Sequence, residues 1–141
     1  MTISNKILIS LIFLLSGCTL GENLEDRYTK ETPISAQIRN SDVCLSIPIQ
    51  NDEIVVSALT YNTKKPSEQM IFPAGKQPKS GLFCIQPGEF RFENGQEYLT
   101  YIEVNIKASG TNEKITRKAY ISNFQIEKQD EKLKIIQMHY K

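Results

Sequence analysis

The side chains able to do chemistry in this chain are few: three cysteines, one histidine and scattered carboxylates among 141 residues. His139 lies close to the C-terminus in an alternating apolar stretch. A nucleophile–base–acid arrangement would need it beside a serine or cysteine and an acid. The ordinary state of such a strand histidine is solvated or hydrogen-bonded. Glu89 and Glu93 form a carboxylate pair of the kind a glycoside hydrolase uses. They flank Phe90 and Phe92 in a turn-rich segment, however, where solvated loop acids are the ordinary outcome. No G-x-S-x-G, no H-E-x-x-H and no phosphate-cradling glycine loop occurs. Neither Cys44 nor Cys84 has a second Cys or His at zinc-ligand spacing. The expectation is a chain with no catalytic residues, no metal and no cofactor: a binding or structural protein, not an enzyme.

Cys18 is the thiol with the most informative surroundings. The chain opens with a short segment holding Lys6 and no acid, followed by the apolar run 7–15. That is a charged n-region and an h-region of signal-peptide length, short of the roughly 20 residues that span a bilayer. Small residues then lead to the cysteine. Leu15-Ser16-Gly17-Cys18 resembles the bacterial lipobox, L-[AS]-[GA]-C. The resemblance implies a diacylglycerol on the thiol, cleavage before Cys18, and acylation (palmitate and its like) of the new amino terminus. One acyl chain binds a membrane marginally and two or more bind it stably, so Cys18 is expected to be a lasting anchor. The residue after it is Thr19. The aspartate that marks inner-membrane retention in Gram-negative lipoproteins is thus absent, and the expected location is the outer membrane, facing the periplasm.

The expected domain organisation is a signal peptide at 1–17, an acylated cysteine with a flexible tether at 18–33, and a folded domain at 34–141. The tether is charged and poor in apolar groups, so burial cannot offset the cost of ordering it. Removing residues 1–17 takes away Lys6 and no acid, and the formal charge of +1 becomes 0. A neutral chain without a polybasic block has no field to attract nucleic acid or an anionic membrane. With Cys18 assigned to lipid, Cys44 and Cys84 remain as an even pair in an oxidising compartment. A bridge between them closes a loop of about 40 residues, for which chain entropy gives about 4 kcal/mol. Two free buried thiols are the alternative.

Alternation and turn residues place strands over most of the domain. They are expected at 34–39, 43–49, 53–61, 69–72, 82–85, 98–108, 114–126 and 132–140. The stretch 53–61 is apolar on both sides, as a central strand would be. The alternation of 114–126 slips near Ser122-Asn123, where a bulge is expected. "SGTNE" (109–113) reads as a hairpin loop. About seven or eight short strands without an amphipathic helix mean a sandwich or barrel. The expected fold is all-β: a small antiparallel β-sandwich of immunoglobulin or fibronectin III style, lacking the core Trp of the immunoglobulin family.

Residues 62–81 are rich in proline and glycine and carry Lys64, Lys65, Lys76 and Lys79 against the single acid Glu68. Long loops in compact domains are often functional. With Met70, Ile71 and Phe72 read as exposed, the loop is the candidate partner-binding segment: charge steers an acidic protein and apolar groups clamp it. The plain alternative is a solvated loop whose "QMIF" packs on the core. Tyr101, on the less apolar face of its strand, is a lesser anchor candidate. Tyr61, Tyr101 and Tyr120 read as too scattered for a glycan groove.

Three segments then carry a family resemblance: "IRNSDVCLSIP" (38–48), "GLFCIQPGEFRFENGQEYLTYIEV" (81–104) and the closing "KLKIIQM". With the lipobox, the N-x-x-V-C strand, the C-I-x-P segment and Phe92, Gly95 and Tyr98 in F-x-x-G-x-x-Y, the chain resembles the type VI secretion immunity periplasmic lipoproteins of enterobacteria. The resemblance implies an antitoxin that binds a toxic effector in the periplasm. Its alternatives are a scaffold lipoprotein of an envelope or secretion complex and an inhibitor of lysozyme-type hydrolases.

Overall fold

The structure is a computed structural model and describes residues 30–106 and 117–139. The signal peptide, Cys18, most of the tether and the 109–113 loop lie outside the described residues. Among the described residues nine strands follow one another: β1 Glu31–Pro33, β2 Ala36–Arg39, β3 Asp42–Ser46, β4 Glu53–Asn62, β5 Gln69–Ile71, β6 Leu82–Ile85, β7 Glu97–Ile106, β8 Lys118–Gln129 and β9 Lys132–Met138. They form two sheets. The larger runs β1-β8-β7-β4-β5, with β9 also on β8; the smaller runs β2-β3-β6. The molecule is the all-β sandwich expected from the alternation. One pair departs from antiparallel order: β1 lies parallel to β8, opposite residues 119–121, while β9 pairs with residues 123–129 of the same edge.

The period-two pattern explains which residues meet. From the smaller sheet, Val43, Leu45, Phe83 and Ile85 point inward. From the larger, Val55, Ala58, Tyr98, Ile102, Val104, Phe124 and Ile126 face them, all in one core. A polar row crosses that core. Thr60, Thr100 and Ser122 are in register on β4, β7 and β8, each almost fully buried. The Thr60 and Thr100 hydroxyls hydrogen-bond at 2.9 Å, and Gln137 Nε2 donates to Ser122 Oγ at 3.2 Å. Buried hydroxyls are tolerated because each finds a partner.

Two local readings of the sequence are corrected. The last residues of the expected tether, Glu31–Pro33, are a strand: β8 outlasts its partner β9 and offers its free edge to them. The expected bulge at Ser122-Asn123 is absent, since β7 and β8 pair without a shift from residues 97 to 104. Alternation slips there because Ala119 and Ile121 are also buried on the opposite face, Ile121 between Tyr101 of β7 and Pro33 of β1. The irregularity lies instead in β4, between Val55 and Ser57.

Two glutamine amides close the sandwich at its edges. Beside the β4 irregularity, Val55 N–H donates to Gln77 Oε1 and Gln77 Nε2 donates to Val55 C=O, both at 2.9 Å. The amide thus replaces a neighbouring strand where β5 does not reach. Gln137 does the same between sheets: its Oε1 accepts from Ala36 N–H of β2 at 2.8 Å, and its Nε2 donates to Asn123 C=O.

Candidate functional site

The structure divides the 62–81 segment in a way its composition did not reveal. β5 sits at the edge of the large sheet, paired with Leu59–Tyr61. Glu68 C=O accepts from Asn62 N–H and Ala58 C=O accepts from Phe72 N–H. The backbone groups of alternate residues therefore face β4, and Met70, opposite the buried Thr60, and Phe72 turn their side chains to the core. Phe72, read as exposed, is 4% exposed and packs edge-to-face on Phe83 with centroids 5.5 Å apart. Met70 is half-buried and also packs against the core. Only Ile71 stands out in solvent, 67% exposed.

The four lysines do not gather. Lys64 and Lys65 precede β5, in a turn where their N–H groups donate to Asn62 Oδ1; Lys65 also pairs with Glu68 at 3.7 Å. Lys76 and Lys79 follow β5. Lys76 is not free: its Nζ bonds both Glu89 carboxylate oxygens, at 2.8 and 3.0 Å, and sits over the Phe72 and Phe83 rings. Burial pushes the Glu89 carboxyl up, but the bonds from Lys76 and Gln86 N–H outweigh it and hold the group below its ordinary value. Glu89 is thus a structural counter-ion. Glu93 is exposed, and its N–H donates to Tyr98 Oη at 2.7 Å.

Lys76 and Lys79 line a groove of about 280 Å³ on the outer side of the small sheet, with Arg39, Asp42 and Gln86. Its floor is the Cys44–Cys84 disulfide, which joins directly opposed residues of β3 and β6. Among the described residues no three His, Cys, Asp or Glu side chains gather as a metal site. His139 is exposed.

The more continuous feature is the outer face of the large sheet. Ile71, Leu59, Tyr101 and Ile121 are in register across β5, β4, β7 and β8. Tyr61 and Leu99 form the next row. Leu59, Tyr61, Leu99 and Tyr101 are all half-buried on a face that no strand among the described residues covers. Sequence placed Tyr61 and Tyr101 apart, but pairing brings them to diagonal positions on neighbouring strands. Tyr120 belongs to the opposite, core side. Tyr101 Oη donates to Glu103 Oε1 at 3.0 Å. Burial, that bond and the Glu103 and Glu31 charges push its pKa up to about 12. The face is apolar in the middle, with carboxylates along one side.

No curated protein and no solved structure matches the chain. The profile of a domain of unknown function, DUF7480, matches residues 31–129, from the first residue of β1 to the last of β8. That match spans more than half of the chain, and with it nearly all of the sandwich: this protein belongs to the DUF7480 family.

Proposed function

We propose that this protein is a lipid-anchored, periplasm-facing binder that neutralises a toxic effector protein. The observation that carries the reading is the outer face of the large sheet, left uncovered among the described residues, where Leu59, Tyr61, Leu99 and Tyr101 lie half-buried beside the exposed Ile71. Contiguous apolar surface with tyrosines at its centre is what protein interfaces use. The lipobox ending at Cys18 supports the compartment, and the Cys44–Cys84 bridge suits an oxidising one. The resemblance to type VI secretion immunity lipoproteins supports the role. An antitoxin needs no chemistry of its own: it needs a rigid scaffold, the right side of the membrane and a surface that blocks its partner.

The test is a rescue. The full chain is co-expressed with the product of the adjacent gene directed to the periplasm. Survival that depends on the chain, with a one-to-one complex recovered from the membrane, is expected. Death of cells that carry the chain overturns the reading, and capture of secretion-machine subunits transfers it to the scaffold class. Replacing Cys18 with Ser should remove the chain from the membrane fraction.

A further inference from the structure

We infer that the edge of β5, unpaired among the described residues, is where the partner engages, by adding an extended, acidic segment of its own as a further strand of the large sheet. This rests on the binding role proposed above and names the mode. The two hydrogen bonds that bracket β5, Asn62 N–H to Glu68 C=O at 3.0 Å and Phe72 N–H to Ala58 C=O at 2.9 Å, fix the orientation of the ladder. The Glu68 C=O, the Met70 backbone and the Phe72 N–H are spent on β4, and the Glu68 N–H on Lys65 C=O. The N–H and C=O of Gln69 and Ile71 therefore point away from the sheet. An edge of this kind is a ready template for another chain.

The side chains suit the same occupant. Ile71 continues the row of Leu59 and Tyr101 on the outer face, so an added strand extends an apolar stripe already present. Charge selects the kind of strand. Lys64 and Lys65 stand before β5, and Lys76 and Lys79 after it. Glu68 offsets one of the first pair, so the edge keeps a cationic surplus at its leading end, while Lys76 is spent on Glu89 and Lys79 lines the groove over the disulfide. A segment with alternating apolar residues and an Asp or Glu where it meets Lys64 and Lys65 fits these constraints; a basic one does not. Pro66 and Pro73 bound the edge, which limits pairing to a few residues and protects the chain from pairing with itself.

The test uses a phage-displayed random dodecapeptide library and the full chain purified in detergent. Enrichment of acidic, alternating peptides is expected. Gln69→Ala keeps the outward N–H and should bind them as the wild type does. Gln69→Pro removes that donor at an edge position where a proline ring is tolerated, and should weaken binding about tenfold, the order of one hydrogen bond. Hydrogen exchange gives a reading independent of any variant: the Gln69 and Ile71 amides should exchange quickly in the free protein and slow on adding peptide. No enrichment, equal binding by Gln69→Pro, or unprotected amides with peptide bound each overturn the inference. Rescue in cells with a peptide-blind edge would leave the antitoxin reading standing, and peptide binding without rescue would leave the edge standing.

Discussion

Ile71 and Phe72 are neighbours in sequence and opposites in role. Phe72→Ala removes a core ring and should cost about 3–5 kcal/mol, while Ile71→Ser should stay within about 0.5 kcal/mol of the wild type. Denaturant titration separates the two. Sequence showed that "QMIF" between prolines makes a short strand. It did not show which of its alternating residues face the core, because that depends on Glu68 meeting Asn62 across the sheet. The pairing of Lys76 with Glu89 was equally hidden, since only the fold brings the two segments together. The tyrosines give a pH dependence whose sign is fixed. Tyr98 is held above its ordinary value by burial, and Tyr101 is pushed up to about 12. A raised folded pKa means the contribution is fully present below 10 and is lost as pH rises through the folded value. Stability should therefore hold to pH 10 and fall toward pH 12, in step with tyrosinate absorbance.

At the scale of elements, the long strands were legible because one face is core and alternation marks it. β1 was not: its three residues carry no period and are strand only because β8 has an unused edge. Where turns are concerned, the β8–β9 hairpin holds Asp130 and Glu131 at φ 49° and 66°. Left-handed values at both positions match the tight hairpin turn that favours Asp-Gly. Glu131→Gly should relieve the side-chain strain and raise stability by about 1 kcal/mol, read as a higher thermal midpoint. The Gln77 amide is an element in miniature, a single residue acting as strand for Val55. Gln77→Ala leaves that N–H and C=O without partners and should cost about 1–3 kcal/mol. Amide exchange at Val55 should accelerate with it, which distinguishes an opened edge from general loosening.

On the scale of the whole molecule, the disulfide staples the smaller sheet. Replacing both Cys44 and Cys84 with Ala should lower stability by about 2–5 kcal/mol, a large share of what a domain of this size has. The β3–β6 ladder and its core side chains share the one core of the sandwich, so the loss should be felt as one cooperative step. The large sheet has a different consequence, a mechanical one. The N-terminal segment joins it at β1, and β5 is its opposite rim, four strand spacings or about 19 Å away. With the N-terminus anchored as proposed and a cargo held at β5, a pull between them runs through the β1–β8, β8–β7, β7–β4 and β4–β5 ladders in turn, and leaves the staple on β3 and β6 out of the line of force. The shortest links under load are then the three-residue β1 and β5 at the two ends, and release of β1 lengthens the leash while the remaining strands keep their grip.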